Sequence, residues 1–136
     1  MKARYIVAIA MLAGASLGGA AIQGLHAQAK PPVYYIAEIE PDNMEIYMKS
    51  YAPRAQAVIK AAGGRTVATG RASAIEGEAP KPRVVVIQWD SLEQIQAWRN
   101  SAAFKELASE RSKLAKFRAF AIEGCVPTYR SDCWWR

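Results

Sequence analysis

Arg111 stands on a stretch where Phe104, Leu107, Ala108 and Leu114 recur at the three-and-four spacing of one helical face. A guanidinium on such a face has two roles open to it. It can bind a carboxylate or an enolate in a partly dry pocket, or its stem can pack while its head reaches solvent or a carboxylate. The second arrangement is the commoner one. Glu38 and Glu76, each with apolar neighbours at alternate positions, carry the complementary chemistry: a carboxylate held in a cleft has a raised pKa and serves as a general base, whereas strand glutamates are more often solvated or paired with arginine. Tyr47, Tyr51 and Trp98 converge between helices and sheet if their stripes face inward. Phenol and indole groups there suit an aromatic or lactone-like ligand, and they suit a plain hydrophobic core equally well. Ser101 is a helix cap first and a ligand contact second.

The single histidine, His26, lies in a segment with the layout of an export signal. Lys2 and Arg4 lead into an apolar run from Tyr5 to about Ile22, and Ala27-Gln28-Ala29 follows. A membrane anchor is the weaker reading, because the run is rich in Ala and Gly and no positive cluster follows it directly. Cleavage after Ala29 is therefore expected. It leaves a chain from Lys30 to Arg136, periplasmic or secreted, with no stable membrane span and no histidine. A Ser-His-Asp or Cys-His arrangement and a histidine-ligated haem or zinc are then excluded. Gly63-Gly64 precedes a strand instead of opening a helix, so it is no phosphate loop. Neither a metal nor any other cofactor is expected.

The formal charge of +6 falls by two with the loss of Lys2 and Arg4, and the remaining basic residues are scattered singly. Nucleic-acid binding wants a basic stripe interleaved with aromatics, so nucleic acid is not an expected partner. Cys125 and Cys133 lie in the last twelve residues with seven between them. In an oxidising compartment such a pair closes a small loop or stays inert, and two thiols without histidine are half a ligand set for a soft metal.

These side chains must be positioned by regular elements. Val33 to Glu40 reads as a strand ended by Pro41. Asp42 and Glu45 have capping-box spacing for a helix that carries Met44, Tyr47, Met48, Tyr51, Ala55, Val58, Ile59 and Ala62 on one face, kinks at Pro53 and closes at Gly63-Gly64. A weaker strand runs from Arg65 toward Gly77 with a bulge or bend at Gly70. Arg83 to Trp89 is nearly continuous in apolar residues, which predicts a strand covered on both faces. Ser91 with Gln94 opens a short helix with Leu92, Ile95 and Trp98 inward. Ser101 caps a further helix, and Phe117 to Gly124 forms the last strand.

The order is βαββαβ, the split arrangement of an α+β, ferredoxin-like fold with a four-stranded antiparallel sheet and helices on one face. The other face, judged apolar from Val33, Val85, Ile87 and Phe120, predicts a homodimer. The organisation is a signal over 1–29, one domain over 30–124 and a two-cysteine tail over 125–136.

Paired tyrosines Tyr47 and Tyr51, a Gly-Gly turn, the Ile-Glu-Gly stretch at Glu76 and an aromatic-x-Asn-Ser-x-x-aromatic element from Trp98 to Phe104 together resemble the domain of unknown function thirteen-thirty family, over about residues 32 to 124. The resemblance implies a dimeric α+β barrel, a superfamily that includes cofactor-free oxygenases and isomerases with pockets between sheet and helices. It also ranks Glu76 above Glu38 as a base. The function expected is an exported homodimer binding a small anionic or aromatic molecule between helices and sheet; if it is an enzyme, the chemistry is proton transfer or cofactor-free oxygenation with Glu76 as base and Arg111 as clamp. The alternative is a non-catalytic structural or partner-binding module of the cell envelope.

Overall fold

A computed structural model describes residues 30–125 of the protein. The expected export signal with His26, and Cys133 in the tail, lie outside the described residues. Strand β1 (Val33–Pro41) is followed by helix α1, built of three consecutive segments, Met44–Ile46, Tyr47–Tyr51 and Ala52–Ala61. Strands β2 (Arg65–Arg71) and β3 (Arg83–Trp89), helices α2 (Leu92–Asn100) and α3 (Ala102–Arg111), and strand β4 (Ala115–Glu123) complete the order. The sheet runs β2-β3-β1-β4 with every neighbour antiparallel, so the ferredoxin-like βαββαβ architecture holds.

Alternation along β1 buries Val33, Tyr35, Ala37 and Ile39 against the helix layer, because successive strand side chains point to opposite faces. The register carries the same face through Ile87 and Trp89 of β3. Trp89 is fully buried, and Trp98 of α2 stacks beside it with ring centroids 5.1 Å apart. Val33, Val85 and Ile87 therefore belong to the helix side and not to the open face. The open face carries Tyr34, Ile36, Val84, Val86, Phe120 and Ile122, placed together by cross-strand pairing. Of the residues expected there Phe120 alone is on it, and the apolar patch sits beside the ion pair of Glu38 with Arg118.

Several local expectations shift by a residue or more. Asn43, not Asp42, caps α1, its side chain accepting from the Ile46 N–H at 3.0 Å, while Glu45 pairs with Lys49. The kink expected at Pro53 takes the form of a π-helical turn over Tyr47–Tyr51, in which the Ala52 N–H bonds the Tyr47 carbonyl. Proline lacks an N–H and its ring crowds the carbonyl four residues back, and a widened turn accommodates both. The bulge in β2 falls between Thr66 and Ala68; Gly70 pairs regularly with Val84. That strand ends at Arg71, so Glu76 is not at a strand end but in the following loop. Leu92, expected inward, is exposed. Ser91 does cap α2 as expected, accepting from the Gln94 N–H.

Gly63 takes φ +92° at the end of α1, a conformation that only glycine adopts without strain. At Gly64 the constraint is space: a Cβ there would lie 2.6 Å from the Trp89 ring and 2.8 Å from Ile59. Gly64→Ala is expected to lower stability by about 1–3 kcal/mol, the usual cost of overpacking, measured as a fall in the urea midpoint with unchanged slope.

Candidate functional site

A cavity of about 210 Å³ lies between the sheet and the helices. The π-turn of α1 supplies Tyr47 and Tyr51, both 3% exposed, with ring centroids 5.0 Å apart. α2 contributes Trp98, and α3 contributes Phe104, Leu107 and Arg111. The sheet closes the floor with Tyr35, Ala37, Ile39, Val85, Ile87 and, at the start of β3, Arg83. Thr66 and Thr69 of β2 stand at its margin. Aromatic contacts run along one wall: Tyr35 meets Trp98 edge-on at 5.4 Å, and Trp98 meets Phe104 at 4.6 Å.

Arg111 ends α3 and lays its guanidinium carbon 3.6 Å from the centre of the Phe117 ring, a cation–π geometry that holds the head inside the cavity wall. Among the described residues no carboxylate pairs with it. Arg83 donates to Thr69 Oγ1 at 2.8 Å and likewise has no acidic partner. Among the described residues no Asp, Glu, His or Lys lines the cavity.

The phenols hold their protons. Burial pushes the Tyr47 hydroxyl up to about 12; neighbouring Tyr51 adds to this, while the charges of Arg111 and Arg83 oppose it. Burial also raises Tyr51, against the opposing guanidinium of Arg111, and raises Tyr35, against Arg99 and Arg111. The Tyr35 hydroxyl is buried beside the Arg99 guanidinium, and the Trp98 indole N–H is buried with no partner. The cavity is thus cationic, aromatic and rich in neutral donors. It has donors and positive charge for an anion, and no side chain ready to take a proton at neutral pH.

Because the fold keeps the Tyr47 proton to about 12 while an unfolded tyrosine ionises near 10, its contribution to stability is complete below about pH 10 and is lost as pH rises through the folded value. Ultraviolet titration of phenolate is expected to show a late transition that Tyr47→Phe removes.

Of the residues expected from sequence, Tyr47, Tyr51, Trp98 and Arg111 come together here. Ser101 caps α3: its hydroxyl accepts from the Phe104 N–H at 3.2 Å and donates to the Trp98 carbonyl at 2.7 Å, and it does not line the cavity. Glu38 lies on the open face, 2.7 Å from Arg118, the arginine-paired arrangement. Glu76 is exposed in the loop between β2 and β3, outside the cavity lining. Tyr35, Arg83, Phe104 and Phe117 were not singled out as site residues. Period-two alternation along β1 could have found Tyr35, whereas Arg83, which shares its strand face with Val85, Ile87 and Trp89, opens a run with no alternation to mark that face.

Among the described residues no helix is long and apolar enough to cross a membrane, and no group of three His, Cys, Asp or Glu side chains gathers to hold a metal.

The family model described as "Domain of unknown function (DUF1330)" matches residues 32–125. No curated protein matches the chain. Among solved structures, a protein of unknown function from Rhodopseudomonas palustris is similar with TM-score 0.57 and 13% identity, over 80% of this chain and 94% of that one. SnoaB from Streptomyces nogalater, a cofactor-independent oxygenase, aligns with TM-score 0.54 and 11% identity over 74% and 99%. A dimeric protein of unknown function and ferredoxin-like fold from Bacteroides fragilis aligns with TM-score 0.51 and 12% identity over 68% and 95%. At these identities the likeness is one of fold.

Proposed function

The chain belongs to the family of the domain of unknown function DUF1330, and from that premise we propose that it is an exported homodimer that binds a small aromatic acid between its helices and sheet. One observation carries the ligand class: aromatic side chains and two guanidinium groups line one cavity, with no carboxylate in its lining among the described residues. Apolar walls with a few placed polar groups are the usual make-up of a small-molecule site, and positive charge in a half-dry space favours an anion. Arg111 is the clamp, with the protonated Tyr47 and Tyr51 as hydrogen-bond donors.

Binding is better supported than proton abstraction, because Glu76 is outside the lining and the tyrosines hold their protons. Turnover of the kind named for SnoaB, cofactor-independent oxygenation, fits this cavity in one form. The substrate would arrive already ionised, and Arg111 would stabilise its charge.

The dimer rests on the apolar band of the open face, where Phe120 is 42% and Ile122 49% exposed. A patch of that kind marks an interface in a soluble protein. Export rests on the charged, apolar and small-residue order of residues 1–29.

Native mass spectrometry of protein recovered from the periplasm, with its N-terminus read in the same experiment, tests all three parts. The expected species is a dimer beginning at Lys30 with a small acid retained. A monomer would overturn the assembly, an uncut Met1 the export. A dimer that neither carries nor accepts a small acid would leave the structural-module reading in place.

A further inference from the structure

Arg83 and Arg111 come from different layers, one from the start of β3 and one from the end of α3, yet both line the same cavity. Elsewhere in the described domain Arg54, Arg65 and Arg118 each have a carboxylate within ion-pair distance. Among the described residues Arg71, Arg99 and the two cavity arginines have none, and of these four only Arg83 and Arg111 line the cavity. Arg83 has the Thr69 hydroxyl and Arg111 the Phe117 ring, which give each head a contact and leave its charge uncompensated. Two like charges facing one half-buried apolar space repel, and the repulsion is least screened where water is scarce. A ligand with a single negative group would neutralise one guanidinium and leave the other.

We propose that the ligand of this cavity is a dianion, a single-ring or comparably short molecule with two acidic groups, one held by Arg83 and the other by Arg111. This rests on the small-acid reading given above and sharpens it. Each guanidinium is a planar fork that matches a carboxylate through two parallel bonds, and Arg83 keeps further donors beyond the one used on Thr69. Size agrees: about 210 Å³ exceeds the ~150 Å³ cavity that holds benzene by roughly the room that substituents on one ring require. Tyr47 stands where both charges reach it, and its retained proton lets it donate to either acid group.

Calorimetric titration of the full chain with benzoate and with the three benzenedicarboxylates tests the assignment. At least one dicarboxylate is expected to bind tenfold or more tighter than benzoate. Arg83→Met and Arg111→Met should each bring that dicarboxylate down to the benzoate level. Thermal melts establish that each variant is folded, and Arg83→Lys, which keeps the charge, should retain part of the preference. Equal affinity for benzoate and every dicarboxylate, or a preference that survives loss of either arginine, overturns the dianion and leaves the small-acid site standing. Failure of all four probes to bind the wild-type chain overturns both.

Discussion

Arg111→Met lowers the affinity for a small aromatic acid such as benzoate by roughly 10- to 150-fold, the factor that corresponds to losing a charge-assisted hydrogen bond of about 1.5–3 kcal/mol. Stability changes little. The cation–π contact with Phe117 at 3.6 Å is lost, at a cost of about 0.5–1 kcal/mol, but the methionine keeps an apolar stem against Phe104 and Phe117, and removing one cation relieves repulsion with Arg83. The two readouts separate the roles. A ligand clamp loses binding at nearly constant melting temperature, whereas an arginine whose task is packing changes the melt and leaves wild-type and variant titrations alike. A variant that binds benzoate as well as the wild type would remove Arg111 from the site.

Trp89→Ala is the most destabilising single change expected in the domain. The side chain is wholly buried at the junction of β3, α2 and the end of α1, and Gly64 is a glycine because the indole occupies the space beside it. Large-to-small substitution at such a site costs about 3–5 kcal/mol, a large share of the ~5–15 kcal/mol that holds a small domain together. At roughly 4–8 °C per kcal/mol, the melt should fall by tens of degrees or be absent at ordinary temperature. Trp89→Phe is the informative companion. It keeps most of the ring and removes a buried indole N–H that has no partner, so its loss should be well under half that of alanine. An alanine variant that melts within a few degrees of the wild type would show that the core closes elsewhere.

Helical stripes were the legible part of the site. The three-and-four spacing that places Tyr47, Tyr51 and Arg111 on inward faces is a property of the helix itself, so those residues could be named before any fold was known. Trp98 followed from the same periodicity, although its neighbour Leu92 did not, because a single residue at the first turn of a short helix is free to face solvent. Strand faces were harder. Arg83 opens a run of apolar residues with no polar alternation to show which side it takes, and the same run led Val85 and Ile87 to be assigned to the open face. Loops carry no periodicity at all. Glu76 looked like a strand end because Ala72 and Ala74 alternate before the Ile-Glu-Gly stretch, yet β2 stops at Arg71 and Ile75 is 96% exposed. The position of the bulge and the choice of Asn43 over Asp42 as cap depend on pairing and backbone angles that composition does not record.

The bulged strand has a consequence for behaviour at high concentration. β2 is an edge of the sheet, and an unpaired edge is a template on which further chains can stack into fibrils. Here the register slip at Thr66–Ala68 interrupts the even row of backbone donors and acceptors, and exposed Arg65 and Arg71 flank it with like charge. Sideways growth by strand addition is therefore blocked on that side by the same irregularity that bends β2 at the margin of the cavity.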